Sequence, residues 1–316
     1  MPSASRGPRR LPPSVLATCV LPWDESFSFA EDDFRAHVAL LAASMTKHLY
    51  IFGTAGEGHA VTEAQFRRIA TVFADEAARQ GVTPMLGVVA VPLGTVLERI
   101  EFGLATGYRQ FQISFPAWGR LSDRECDLFF DTVCGRFPEA SFLHYNTPRG
   151  GRVLTGEEYR RLATRHPNLA AVKFTSSDPA VVGELVGACW PMQCFLTEPA
   201  FAIARRSGAE CGLLVSLSGV RTDLPGRLMA ASGDALARLE LLFRRVHALL
   251  LDCLGDEADA VHMDGAFEKI IARSHGAVMP LRLLPPFAGA SEAAVRRFEH
   301  RLSELLADAG GGPHAG

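Results

Sequence analysis

Eight short apolar runs, each followed by a stretch with helical periodicity, recur along the 316-residue chain at intervals of roughly 20–36 residues. Parallel strands that alternate with helices form either an open doubly wound sheet or a closed barrel. No run leads into the Gly-x-Gly-x-x-Gly turn of dinucleotide-binding sheets, so eight units predict an α/β fold of the TIM (β/α)8 type. The predicted strands are Val15–Val20, His48–Phe52, Pro84–Val89, Gln110–Phe115, Ser141–Tyr145, Ala170–Phe174, Cys194–Thr197 and Cys211–Ser216.

Capping boxes mark several helix starts, because a Ser or Thr is followed three residues later by Glu or Gln. The pairs are Ser28 with Glu31, Thr62 with Gln65, Ser122 with Glu125, and Thr155 with Glu158. Beyond Pro225 the pattern is helical only, through Leu228–Leu254, Ala258–Ser274 and Ser291–Ala309. We therefore predict a barrel over residues 14–224, a C-terminal helical extension packed on it over 225–309, and disordered tails at 1–13 and 310–316.

Composition is that of a globular protein, with 48% hydrophobic and 21% charged residues. A net charge of −3 argues against nucleic acid as a partner, and no apolar run approaches the roughly 20 residues that span a bilayer. The seven cysteines include no Cys-x-x-Cys pair. They are typical of reduced thiols in a cytoplasmic protein.

Lysine is rare in this chain, which has 32 Lys and Arg residues but lysine only at Lys47, Lys173 and Lys269. Lys173 ends the sixth predicted strand, and Thr54, Pro116 and Tyr145 also fall at strand ends, where TIM barrels carry their active sites. An amine can lose its proton and attack a carbonyl carbon, which a guanidinium cannot do. Lys173 is therefore a candidate nucleophile, although its own strand alone would equally fit a lysine that reaches solvent.

Three motifs in one order resemble those of the dihydrodipicolinate synthase/N-acetylneuraminate lyase superfamily. Gly-Thr-Ala-Gly-Glu at 53–57 resembles its Gly-Thr-Thr-Gly-Glu loop, and Tyr-Asn-Thr-Pro at 145–148 resembles its Tyr-Asn-x-Pro motif. The segment from Val172 to Asp178 resembles its strand-six lysine segment. The agreement extends from about Val15 to about Leu306, so it covers nearly the whole chain.

The resemblance implies a class I lyase that forms a Schiff base with pyruvate or a related 2-oxo acid and needs neither cofactor nor metal. It implies Lys173 as the imine-forming residue, Tyr145 as general acid/base and Thr54 as a further catalytic residue. Backbone N–H groups of Thr54 and Ala55, in a turn opened by Gly53, suit a substrate carboxylate, although a tight turn alone would also explain the glycines. The family is often homotetrameric, so we expect a tetramer or a dimer.

This sequence departs from the family where dihydrodipicolinate synthases carry a pair of tyrosines after strand four. Trp118 stands there instead and lacks the hydroxyl that a Tyr–Thr–Tyr proton relay requires, so we expect it to form an apolar wall. The motif arginine is replaced by Gly150, with Arg149 and Arg152 as shifted candidates for a distal carboxylate. By the same resemblance, the segment from Ser216 to Gly219 corresponds to the strand-eight loop that contacts substrate in the family. These differences favour another aldolase, hydratase-aldolase or dehydratase over dihydrodipicolinate synthesis.

Three other polar residues near these motifs have different predicted roles. We expect Glu57 to hold its turn by accepting N–H bonds. His59 is expected behind the site or on the surface, with a polar contribution to the site itself as the alternative. His144 should point away from Tyr145 into the layer between barrel and helices, because side chains alternate along a strand.

Two competing functions remain at this stage. A metal-dependent aldolase would need His and carboxylate ligands at strand ends, and none of the ten histidines lies in such a cluster. A catalytically inactive barrel could bind 2-oxo acids as a regulatory protein. The presence of both Lys173 and Tyr145 favours an enzyme, because a protein that only binds has no need of an imine-forming amine.

Overall fold

The computed structural model describes residues 10–257, 261 and 263–310, and its centre is a closed barrel of eight parallel strands in sequential order. Each strand pairs with the next, and the first pairs with the last. The predicted TIM barrel is confirmed. The strands are β1 Val15–Thr18, β2 His48–Ile51, β3 Thr83–Gly87, β4 Gln110–Ile113, β5 Ser141–Tyr145, β6 Leu169–Phe174, β7 Gln193–Leu196 and β8 Gly212–Leu214.

Helices cover the barrel and form the C-terminal extension, as predicted. None of the helices in the described ranges is long and apolar enough to cross a bilayer. The helices are α1 Glu31–Ser44, α2 Glu63–Gln80, α3 Leu93–Ala105, α4 Asp123–Arg136, α5 Gly156–Arg165, α6 Pro179–Ala188, α7 Glu198–Arg206, α8 Leu224–Ala230, α9 Gly233–Leu254, α10 Asp264–Ser274 and α11 Glu292–Gly310.

Three of the four predicted capping boxes form, at Thr62, Ser122 and Thr155. The box predicted at Ser28 is wrong, because α1 begins after Ala30 and its first turn has no side-chain cap. The Ser28 N–H instead donates to the Asp24 carboxylate in a local turn. Three acidic residues in the first turn of α1 interact favourably with the positive end of the helix dipole. This interaction stabilises the start of the helix without a side-chain cap.

The boundaries of the predicted tails and helices differ from the structure in three places. Arg10 belongs to the predicted tail, yet its guanidinium donates to the carbonyls of Ala163, His166 and Leu169. The predicted helix 228–254 is divided into α8 and α9, because the chain is extended at Ala231. Residues 1–9 and 311–316 of the tails, and residues 258–260 and 262 of the predicted 258–274 helix, lie outside the described residues.

Side-chain alternation separates a barrel interior from a layer between strands and helices. The interior contains one buried cluster, formed by Leu16, Tyr50, Met85, Leu143, Ala171, Phe195 and Leu214. His144 points outward as predicted, and its Nδ1 lies 2.6 Å from the Tyr159 hydroxyl. Residues of the same parity as the interior cluster, among them Lys173 and Tyr145, therefore point towards the barrel axis.

A buried ion pair fastens α10 to the loop after β2. The Lys269 ammonium lies 2.8 Å from Glu57 Oε1, and both side chains are almost fully buried. The Glu57 carboxylate also accepts from Trp23 Nε1 at 2.9 Å and from the Leu284 N–H at 2.7 Å. Glu57 is thus structural as predicted, but it connects the loop to distant segments rather than closing its own turn.

Replacement of Lys269 by Met should lower the free energy of unfolding by about 3–5 kcal/mol, because the Glu57 carboxylate would be left buried without its cation. Lys47→Met is a matched control, since the Lys47 ammonium is exposed and donates to the Gln80 carbonyl. We expect that control to cost less than about 1 kcal/mol. Urea denaturation followed by circular dichroism measures both, and equal losses would contradict the structural role of the pair.

Candidate active site

Lys173 is the penultimate residue of β6 and its side chain lies inside the barrel, where only 5% of the residue is exposed. In the strand register it lies between Tyr145 of β5 and Phe195 of β7. The Lys173 amine donates to the Tyr50 hydroxyl at 3.0 Å and lies 3.5 Å from Gln112 Oε1. The amine is therefore enclosed by neutral polar atoms and aromatic rings, without a direct carboxylate partner among the described residues.

Burial lowers the pKa of Lys173 to about 8. The carboxylates of Asp264 and Glu268 act in the opposite direction, and Arg149 adds to the lowering. With that pKa, roughly a tenth of the amine is neutral at pH 7. A neutral amine is the form that can attack a carbonyl carbon.

Tyr145 covers the amine, because its ring centroid lies 4.0 Å from Lys173 Nζ. Burial raises the pKa of Tyr145, and Asp264 contributes in the same direction. Arg149 and the hydroxyl of Thr54 oppose the rise in pKa. The phenol is therefore protonated near neutral pH and can supply a proton beside the amine.

The loop after β2 begins at Gly53, whose backbone lies close to the Tyr50 side chain. A Cβ on Gly53 would lie 2.8 Å from Tyr50 Cε2, so the ring that touches the Lys173 amine leaves room only for glycine. Within the described chain, the backbone N–H groups of Thr54 and Ala55 donate to no acceptor. Thr54 lies on the wall of the adjoining cavity, whereas Ala55 is buried behind it.

A cavity of about 520 Å³ opens at the carboxyl ends of the strands, between the loops after β2, β3, β4 and β5 and the start of α10. Thr54 and Tyr145 line it, whereas Lys173 lies beneath the Tyr145 ring. No three His, Cys, Asp or Glu side chains of the described residues gather as a metal ion would require. The cavity has the size of a small-molecule site.

The structure distinguishes the two candidate arginines. Arg149 lines the cavity, and its guanidinium binds Asp264 with two contacts of 3.0 and 2.8 Å. Arg152 points away from the cavity and pairs with Asp123 at 2.6 Å and with Glu158. Arg149 is therefore the arginine at the site, and its positive charge is already partnered.

Trp118 does not form the wall that the sequence suggested. A turn at Ala117 and Trp118 directs the indole into solvent, where the residue is 90% exposed. Ala117 and Phe115 take part in the cavity wall instead. His59 lines the same wall, with its ring edge-on to Phe287.

Ser216 follows β8 and does not line the cavity. Its N–H donates to Glu198 Oε1 at 2.9 Å. The same residue contacts Glu268, whose pKa burial raises to about 8, while Ser216 and Lys173 oppose that rise. Ser216 therefore influences the protonation of Glu268 rather than the shape of the cavity.

Sequence reasoning missed Tyr50 and three residues of α10, namely Asp264, Glu268 and Lys269. Tyr50 could have been found from alternation, because it lies on the inward-facing side of β2. Lys269 carried a signal as well, since it is one of only three lysines in the chain. Asp264 and Glu268 carried none, because acidic residues in a helix are usually solvated.

Comparison with family models identifies the family of this chain, and comparison with solved structures identifies its fold. Residues 12–194 match the model of the dihydrodipicolinate synthetase family. No curated protein gives a significant match to the chain. Among solved structures, YagE from Escherichia coli K12, a prophage protein of the dihydrodipicolinic acid synthase family in complex with pyruvate, aligns with a TM-score of 0.79 and 16% identity, over 93% of this chain and 98% of that one.

Two further structures align over a similar length. A dihydrodipicolinate synthase family protein from Coccidioides immitis has a TM-score of 0.76 and 21% identity, over 96% of this chain and 99% of that one. The 4-hydroxy-tetrahydrodipicolinate synthase of Methylacidiphilum fumariolicum SolV has a TM-score of 0.77 and 15% identity, over 94% and 98%. At these identities, the structures establish a shared fold.

The contact between Gly53 and Tyr50 can be tested by stability. Gly53→Ala should lower the free energy of unfolding by about 1–3 kcal/mol, because its Cβ forces the buried Tyr50 ring to move. Gly94→Ala, in α3, adds a Cβ with no heavy atom of the described residues within 4 Å, and should stabilise by about 0.5–1 kcal/mol. Urea denaturation reports both values. Effects of the same sign and size would contradict the close approach.

Proposed function

Because this chain belongs to the dihydrodipicolinate synthetase family, we propose that it is a lyase in which Lys173 forms a Schiff base with pyruvate or a related 2-oxo acid. The observation that carries the proposal is the buried Lys173 amine, whose pKa is lowered to about 8 beneath Tyr145. A strongly perturbed amine beside a cavity marks a functional site more often than a structural one. The pyruvate bound in the YagE structure supports a 2-oxo acid as ligand.

The first step uses the neutral amine and the protonated phenol. Lys173 Nζ attacks C2 of the 2-oxo acid, and the ketone oxygen takes up a proton from Tyr145 to give a carbinolamine. The Tyr145 phenolate then takes a proton from the carbinolamine nitrogen and donates it to the carbinolamine hydroxyl, which leaves as water; a protonated imine and a Tyr145 phenolate remain. The substrate carboxylate is held by the N–H groups of Thr54 and Ala55, which fixes C2 near the amine.

The second step uses the imine as an electron sink. When the bond from C3 to its substituent breaks, its electron pair moves into the imine and forms an enamine. Tyr145, as phenolate, accepts the proton of the departing hydroxyl in a carbon–carbon cleavage, and the reverse sequence is condensation. Aldolase, hydratase-aldolase and dehydratase reactions share this enamine and differ in the group that leaves.

The proposal extends to the setting of the enzyme. Seven buried cysteine thiols fit the reducing cytoplasm. We also propose a homo-oligomer, either a dimer or a tetramer, as the family resemblance implies.

Reduction with borohydride in the presence of pyruvate should attach one pyruvyl group to the peptide that contains Lys173. Peptide mass spectrometry locates the adduct. Lys173→Met should abolish it, whereas Lys47→Met, which removes an exposed amine, should retain it. An adduct with a longer 2-oxo acid but not with pyruvate would identify the longer 2-oxo acid as the substrate. No adduct with any 2-oxo acid from folded protein would leave only the inactive binding barrel.

The pH dependence of trapping should follow the Lys173 amine. The rate of adduct formation should rise with pH through about 8, because only the neutral amine attacks. Asp264 raises the pKa of Lys173, so Asp264→Asn should move the midpoint to lower pH. Glu292→Gln, in a surface pair with Arg273, should leave the midpoint in place. A midpoint that stays or moves upward in Asp264→Asn would contradict this electrostatic account.

A further inference from the structure

The wall of the 520 Å³ cavity is largely apolar. The loop between β3 and α3 contributes four consecutive residues, Val89 to Pro92, and the loop after β4 contributes Phe115 and Ala117. Met263, the residue directly before α10, also lines the cavity. Apart from Thr54, Tyr145 and the residues in ion pairs, the polar residues that line the cavity are His59, Thr95, Ser114 and Thr147. These are few for a ligand that carries a polar group on every carbon.

The cations on this wall already have partners. Arg149 is bound by both oxygens of Asp264. Arg99 donates from Nε to Glu63 at 2.9 Å and also binds the Val89 carbonyl. Among the described residues, the cavity therefore has no arginine left unpaired for a second substrate carboxylate.

His59 does not supply the missing charge. Burial lowers its pKa, and Arg149 adds to that lowering against the opposing effects of Glu57 and Asp264. The imidazole is therefore mainly neutral at pH 7. A second substrate carboxylate, in addition to that of the 2-oxo acid, would lose water in this cavity without gaining a free cation.

We propose that this cavity binds the carbonyl partner of the reaction, and that the partner is an uncharged, apolar aldehyde with an aryl or branched alkyl group. The inference rests on the proposed function and specifies its second substrate class. In the condensation direction, the Tyr145 phenolate removes a proton from C3 of the imine to give the enamine. C3 then forms a bond to the aldehyde carbon, and the aldehyde oxygen takes that proton from Tyr145. Water then hydrolyses the imine, which releases a 4-hydroxy-2-oxo acid and restores the Lys173 amine.

The test compares three aldehydes with pyruvate as the common donor. Benzaldehyde represents the apolar class, glyceraldehyde the polyhydroxylated class, and succinic semialdehyde the class with a second carboxylate. We expect kcat/KM for benzaldehyde to exceed the other two values by about 100-fold or more, because each unpaired polar group weakens binding by a factor of ten or more. A preference for either of the other aldehydes would overturn the inference.

A substitution on the wall provides a matched pair of variants. Val91 lines the cavity and is 50% exposed, so a longer side chain has room there. Val91→Arg adds an unpaired cation and should shift the ratio of succinic semialdehyde to benzaldehyde activity upward by at least about tenfold. Val91→Met adds similar length without charge and should keep the preference for benzaldehyde. An equal shift in both variants would contradict the role of charge.

Failure of this inference can be distinguished from failure of the Schiff-base proposal. The cavity exists whether or not Lys173 forms an imine, so binding is also measured with unreactive alcohols by saturation-transfer NMR. Benzyl alcohol should bind and glycerol should not. Selective binding of benzyl alcohol without a pyruvyl adduct would overturn the lyase proposal but support the apolar preference of the cavity. A pyruvyl adduct with no preference for benzyl alcohol would support the lyase proposal and overturn the apolar preference.

Discussion

Closure of the eight-stranded barrel decides which side chains can meet. In a closed parallel barrel every second residue points to the axis, and the carboxyl ends of all strands share one rim. That constraint brings Tyr50 of β2, Gln112 of β4 and Tyr145 of β5 around Lys173 of β6, although these residues are far apart in sequence. It also sends His144 outward, one residue before Tyr145. The chemistry of the rim is thus a consequence of strand parity.

Two buried lysines in the same molecule show how surroundings determine what an amine does. Burial lowers the pKa of both, but Glu57 lies against Lys269 and favours its charged form. Lys173 has the rings of Tyr50 and Tyr145 and the Tyr50 hydroxyl as immediate neighbours. The carboxylates of Asp264 and Glu268 raise its pKa without direct contact. One amine therefore serves as a fixed structural cation, while the other has access to its neutral form. A chain that uses arginine for nearly all other positive charge retains lysine at both places.

The sequence was informative where a local rule determines the outcome. Periodicity and capping boxes gave the order of strands and helices, and the motifs gave Lys173, Tyr145 and the loop after β2. It failed where the outcome depends on tertiary packing. The direction of Trp118 is set by a turn, the pairing of Arg149 depends on a residue 115 positions away, and the contacts of α10 follow from how the extension folds back. None of these leaves a periodic signal in the chain.

Helix α10 reaches the site through three side chains, although it belongs to none of the eight repeating units. Asp264 holds Arg149, Glu268 acts on the charge of Lys173, and Lys269 anchors the loop after β2. The eleven residues of α10 therefore determine the surroundings of the site, while the barrel strands determine its position. Changes within that one segment would alter the charge around Lys173 and the anchoring of the loop after β2 together, while the strands that carry Lys173 and Tyr145 stay unchanged. The extension is therefore as much a part of the site's surroundings as the barrel loops are.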